Sequence, residues 1–181
     1  LLNIVIHFDY HEKGSPKQTR RFYIERDEIV EIGSYPAMDS GSEKTLIDAG
    51  RWAITNFPSE NFALVLWNHG SGDINPLMTR LINPSEFFYY DQNKKQIVLD
   101  RSVSFTEYLI KKAFERGICF DDSTGNYLDD TKLTIALQEI CKMRKEVTGK
   151  NKIDIILFDA CLMAGIGTAT ICYPYADYMT A

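Results

Sequence analysis

Two short polar clusters, each directly behind an apolar run, are where this chain of 181 residues could do covalent chemistry. In FALVLWNHGSG the run ends in Asn68, His69, Gly70, Ser71 and Gly72; in IDIILFDACLMAG it ends in Asp159, Ala160 and Cys161. A thiol and an imidazole are what acyl transfer requires. The thiolate attacks a carbonyl carbon, and the imidazole shuttles the proton that the leaving amine needs. Gly70 carries no side chain, so its N–H can approach a developing oxyanion closely, and with the amide of Cys161 it could form an oxyanion hole. A Cys leaving a strand at the start of a helix also meets N–H groups and a dipole that favour the thiolate. Asp159 is a poor activator, because a carboxylate two residues from the thiol would raise its pKa. The role that suits it is receiving a cationic side chain, which would make Arg or Lys the residue before the cut bond. Each feature also has a plainer reading. A Cys behind a strand is commonly a small buried apolar residue, an Asp there is commonly a helix N-cap, and His-Gly can be only a turn. The residues alone leave both readings open.

The clusters can cooperate only if the runs before them lie side by side. Residues 2–8, 62–67 and 153–158 are rich in Val, Ile, Leu and Phe with little polar alternation, which predicts strands covered on both faces. Helical spacing predicts helices over 44–56, 105–114 and 131–147, and another directly after Cys161 through Leu162, Met163, Ile166 and Ile171. Strand and helix in alternation predict a single α/β domain over 1–181, a three-layer α/β/α sandwich around a mostly parallel sheet. Parallel strands place their carboxyl ends on one edge, where ligands bind. His69 and Cys161 would meet there. Residues 12–18, 33–42, 70–84 and 121–126 read as turn-rich, and about 70–95 as an exposed insertion between the two clusters.

Composition narrows the classes. The formal charge is −5, and the Lys and Arg residues gather on no one segment, so nucleic-acid binding is set aside. No apolar run approaches the roughly 20 residues that cross a bilayer, so no membrane span is expected. Cys119, Cys141, Cys161 and Cys172 form no CxxC pair and have no His at zinc-finger spacing, which argues against structural zinc. Asp73, Asp121 and Asp122 could attract calcium, but they lack the alternating oxygen spacing of an EF-hand loop, so no metal or cofactor is expected.

LVLWNHGSG and ILFDACLMA resemble the His-Gly and Asp-Ala-Cys motifs of clostripain-family peptidases, relatives of caspases, legumains, gingipains and separases. TRRFYIERD, TLIDAGRWAITNFPSENFALVLWNHGSG, FDDSTGNYLDDTKLTIALQEI and YADYMTA resemble family segments in the same order, so the likeness covers most of the chain. It implies a caspase-like fold and a cysteine endopeptidase with Cys161 as nucleophile and His69 as partner. Asp159 then resembles the acidic residue behind the family's preference for peptide or protein substrates with Arg or Lys at the cleaved position. Export from a bacterium, and self-cleavage between the catalytic His and Cys, are further implications. Arg80 is the best candidate for that cleavage, with Lys94 and Lys95 as rivals, and cleavage would leave a second chain as partner.

Some features depart from the family. A further strand is expected before residue 2, and only 20 residues follow Cys161, so the chain reads as a fragment or a processed piece. His69 and Cys161 stand 92 positions apart, which implies an insertion, and Gly165 and Gly167 replace expected bulkier and acidic residues. These departures motivate an alternative: an inactive relative that binds peptides or proteins at the same sheet edge. A flavodoxin-like ligand-binding domain is weaker, for no strand leads into a GxGxxG or GxxxxGK loop.

Overall fold

The computed structural model describes residues 2–10, 15–71, 88–99 and 117–181. Its first three strands, β1 (Ile4–Tyr10), β2 (Gln18–Ile24) and β3 (Ile29–Pro36), form an antiparallel sheet in chain order, with a register shift between Arg21 and Phe22. Helix α1 (Glu43–Asn56) leads to β4 (Ala63–Trp67). Two hairpins follow, β5 (Phe88–Asp91) with β6 (Gln96–Leu99), and β7 (Ile118–Asp121) with β8 (Asn126–Leu128). Then come α2 (Asp130–Thr148), β9 (Ile153–Asp159), α3 (Ile166–Cys172) and β10 (Ala176–Thr180). Strands β10, β9 and β4 form a parallel sheet in that order.

The helices start and stop for local reasons. Ser42 caps α1 by accepting from the Lys44 amide, and Asp129 caps α2 by accepting from the Lys132 amide. Gly149 ends α2 in the left-handed region at φ 78°, where a side chain would be strained. Leu133, Ala136, Leu137 and Ile140 of α2 are buried with Ile153, Ile156 and Phe158 of β9, Leu66 of β4, and Leu46 and Ile54 of α1. The helices α1 and α2 approach closely because Gly50 has no side chain. A Cβ there would stand 2.7 Å from Ile140 Cγ1.

Arg144 is the unusual member of this core, 1% exposed. Its guanidinium pairs with Asp154 and donates to the carbonyls of Lys152 and Glu60, and Asp154 also accepts from the Phe62 amide at 2.7 Å. Burial works against the Asp154 charge, but the Phe62 amide and the Arg144 guanidinium outweigh it and hold that carboxyl below its usual range. One side chain thus fastens α2 to the starts of β4 and β9. Arg144→Ala leaves two carbonyls without their donor and removes the guanidinium from Asp154, which keeps the Phe62 amide and Lys150 at 3.6 Å, and is expected to lower unfolding free energy by about 2–4 kcal/mol. Urea titration reads this directly, and a loss under about 1 kcal/mol would contradict the assignment.

Three expectations change. The run at 2–8 is not a buried parallel strand. It lies in the antiparallel sheet, with Ile4 and Ile6 exposed on alternate positions. The parallel strands are not covered on both faces by the described residues either. Val65 (54%), Trp67 (66%), Ile155 (42%) and Tyr178 (72%) stay exposed, and Phe8 of β1 stacks on Trp67 with ring centroids 6.2 Å apart. The helix after Cys161 begins only at Ile166, because Leu162 adopts φ 64° and turns the chain out of helical geometry. The spacing at 105–114 lies outside the described residues.

Candidate active site

The parallel pairing of β4 and β9 sets the geometry. Leu66 stands opposite Phe158 and Trp67 opposite Asp159, so His69 and Cys161 each follow the last paired position by the same number of residues. The Asn68 amide donates to the Asp159 carbonyl at 3.4 Å and carries the pairing one step further. Beyond it the two turns stay in contact. A Cβ on Gly70 would lie 2.5 Å from the Cys161 carbonyl oxygen and 2.8 Å from Met163 Cγ. Both strand ends therefore open on one edge, and their turns are packed backbone against backbone.

His69, Asp159 and Cys161 are exposed on that edge. Cys161 differs from the other thiols. Cys141 and Cys172 are buried and Cys119 is half-buried. Burial pushes the Cys119 thiol up to about 12, that of Cys172 up to about 11, and that of Cys141 upward as well. A thiol that resists ionisation is a poor nucleophile, which leaves Cys161 as the accessible one. It sits in a turn ahead of α3, a helix whose N-cap, Gly165, makes no side-chain bond. Cys161 therefore does not stand at the start of a helix, as the sequence led one to expect, but in the turn that precedes one.

The turn after β4 is clasped from its other side. Asn68 Nδ2 donates to the Phe120 carbonyl at 3.3 Å, and Oδ1 accepts from the Phe120 amide at 3.1 Å and the His69 amide at 2.6 Å. Buried Ser71 donates its amide to the Gly117 carbonyl at 3.0 Å, and its Oγ accepts from the Gly117 amide at 3.0 Å. Neither Asn68 nor Ser71 receives a role from sequence reasoning. The signal was the density of small polar residues in NHGSG, which marks a turn whose side chains replace strand pairing.

Arg80 and Asp73 lie outside the described residues. Lys94 and Lys95 are exposed in the turn joining β5 to β6, where Asp91 accepts from the amides of Asn93 and Lys94. Asp121 is engaged internally. Despite burial, Lys17 Nζ (2.8 Å), Ser123, and the amides of Ser40 and Ser123 hold its carboxyl well below the usual range. No group of three or more His, Cys, Asp or Glu among the described residues could hold a metal ion. Among the same residues, no helix is long and apolar enough to cross a membrane.

The parallel sheet and its helices define an α/β protein whose fold is similar to that of solved C11 cysteine proteases. One is a secreted C11 cysteine protease from Bacteroides thetaiotaomicron in complex with an irreversible peptide inhibitor, with 20% identity and a TM-score of 0.55 over 98% of this chain and 37% of that one. Another is an inactive zymogen C11 protease from Parabacteroides distasonis, with 21% identity and a TM-score of 0.56 over 98% of this chain and 36% of that one. The family model of the clostripain family matches residues 71–181. The chain belongs to the clostripain family. It spans little more than a third of the length of the solved structures just described. The family match includes Asp159 and Cys161 and begins just beyond His69. No curated protein matches the sequence.

Proposed function

We propose that the chain carries the catalytic centre of a caspase-like cysteine endopeptidase that cuts after Arg or Lys. The observation that supports this most is the register of β4 on β9, which delivers the His69 turn and the Cys161 turn to one exposed edge. The Cys161 thiolate attacks the scissile carbonyl carbon, and the oxyanion lies against the amides of Gly70 and Cys161. His69 gives a proton to the departing amine, leaving a thioester. The neutral imidazole then takes a proton from the water that attacks the thioester, which releases the carboxylic acid and restores the thiolate and the imidazolium.

Asp159 supplies the basic preference. Its register partner Trp67 stands on the same exposed face of the sheet with Phe8 stacked on its ring, so a guanidinium could pair with the carboxylate beside the indole. Asp159→Asn keeps the size and removes the charge. It is expected to lower kcat/KM on Arg peptides by about 10- to 100-fold while changing Leu peptides little. Equal losses on both would make Asp159 structural. The reading as a whole is tested with Arg-, Lys-, Asp- and Leu-terminated fluorogenic peptides, with and without calcium. Self-processing at Arg80, in the insertion over about 70–95, and export from a bacterium belong to the same proposal; amino-terminal sequencing of the processed protein tests the first.

A second reading, an inactive relative that binds peptides at this edge, is favoured by the late start of α3, which leaves Cys161 in the turn ahead of that helix. Rapid labelling of Cys161 by an Arg-based affinity reagent would rule it out.

A further inference from the structure

Asn68 stands where two kinds of pairing meet. Its backbone amide reaches the Asp159 carbonyl and continues the parallel sheet. Its side chain faces the opposite neighbour. The carboxamide donates to the carbonyl of Phe120 and accepts from its amide, copying with one side chain the pair of bonds that an antiparallel strand would make. The Gly70–Ile118 bridge and the Ser71–Gly117 bond follow in the same antiparallel register. Cys119, beside Phe120, is held at φ 57°, a conformation that side chains disfavour. The third bond of the Asn68 carboxamide goes to the His69 amide, at 2.6 Å.

We propose that Asn68 is the positioning residue for His69: its carboxamide fixes the backbone on which the imidazole is carried to the β7 strand, and so sets the imidazole against the thiol. This assignment rests on the reading of Cys161 and His69 as a dyad. A turn projecting from a strand end is free to swing, and an imidazole displaced by about 1 Å loses on the order of a hundredfold in rate. The Asn68 carboxamide removes that freedom at the residue next to the imidazole. Ser71 acts two residues further on and makes no bond to His69.

The test compares Asn68→Ala and Asn68→Asp with the unaltered chain in kcat, KM, pH–rate profile and backbone amide exchange. Asn68→Ala is expected to lower kcat about 30- to 100-fold with KM changed less than about threefold. The His69 and Phe120 amides should exchange several-fold faster. Asn68→Asp keeps the Oδ1 acceptor for the His69 and Phe120 amides but sets a carboxylate oxygen against the Phe120 carbonyl, so it should recover part of kcat and stand between Asn68→Ala and the unaltered chain. Its carboxylate favours the imidazolium, so the limb of the profile set by His69 should move to higher pH. Asn68→Ala with unchanged kcat, or with unchanged His69 amide exchange, overturns the assignment. If the unaltered chain cleaves no peptide, the dyad reading fails instead, and amide exchange alone decides whether Asn68 holds the His69 turn.

Discussion

Cys161→Ala is expected to reduce hydrolysis of Arg and Lys peptides by about ten-thousandfold or more, to the level of the uncatalysed background. Four thiols are present, burial raises the pKa of three, and the fourth is exposed beside the His69 turn. No other described thiol can take its place, so the covalent route closes when this sulfur is removed. The exposed side chain contributes little to packing, so stability should change by no more than about 0.5 kcal/mol. The measurement is a progress curve on each peptide beside a thermal unfolding curve for both proteins. A rate within tenfold of the unaltered chain would sink the assignment of the nucleophile.

Gly70→Ala should have the next largest effect, through a different cause. The backbone at Gly70 is not in the left-handed region, so alanine suits its dihedral angles. What alanine lacks is room. Its Cβ would meet the Cys161 carbonyl oxygen at 2.5 Å, and that neighbour is backbone that cannot rotate aside. The two turns must separate, which spoils the placement of the His69 imidazole, the Cys161 thiol and the proposed oxyanion donors together. A loss of about 100- to 1,000-fold in kcat is expected, with about 1–3 kcal/mol of stability. Peptide kinetics with urea unfolding separates the two effects. A fully active Gly70→Ala protein would show that the turns do not work as a unit.

Much of this arrangement is legible in the letters, and the parts that are not have specific causes. The runs that became β4 and β9 are readable because an uninterrupted apolar stretch closed by polar residues has few other fates. Helices α1 and α2 show their three- and four-residue spacing plainly, and Ser42 and Asp129 mark their starts. The run at 2–8 misleads because an apolar stretch does not say which strand it pairs with. Its partner, QTRRFYI, carries two arginines, whose burial the letters do not reveal. Arg21 is buried, paired with Asp48 and set over the rings of Tyr35 and Trp52 at 4.8 and 4.7 Å. The delayed start of α3 depends on the left-handed turn at Leu162, a residue type that gives no warning of it. The partners of the clasp formed by Asn68 and Ser71 are hidden for a related reason, although NHGSG itself reads as a polar turn. The clasp joins residues about fifty positions apart, and a side chain copying a strand leaves no periodicity.

The contrast among the four sulfurs also has a practical meaning at the bench. At neutral pH an alkylating reagent in slight excess should be consumed at one equivalent per chain, because three of the thiols are both shielded and reluctant to ionise. Reagent uptake then counts accessible Cys161 side chains directly. If Cys161 is the nucleophile proposed above, the same count made with an Arg-based affinity reagent gives the number of working centres, with every native cysteine left in place.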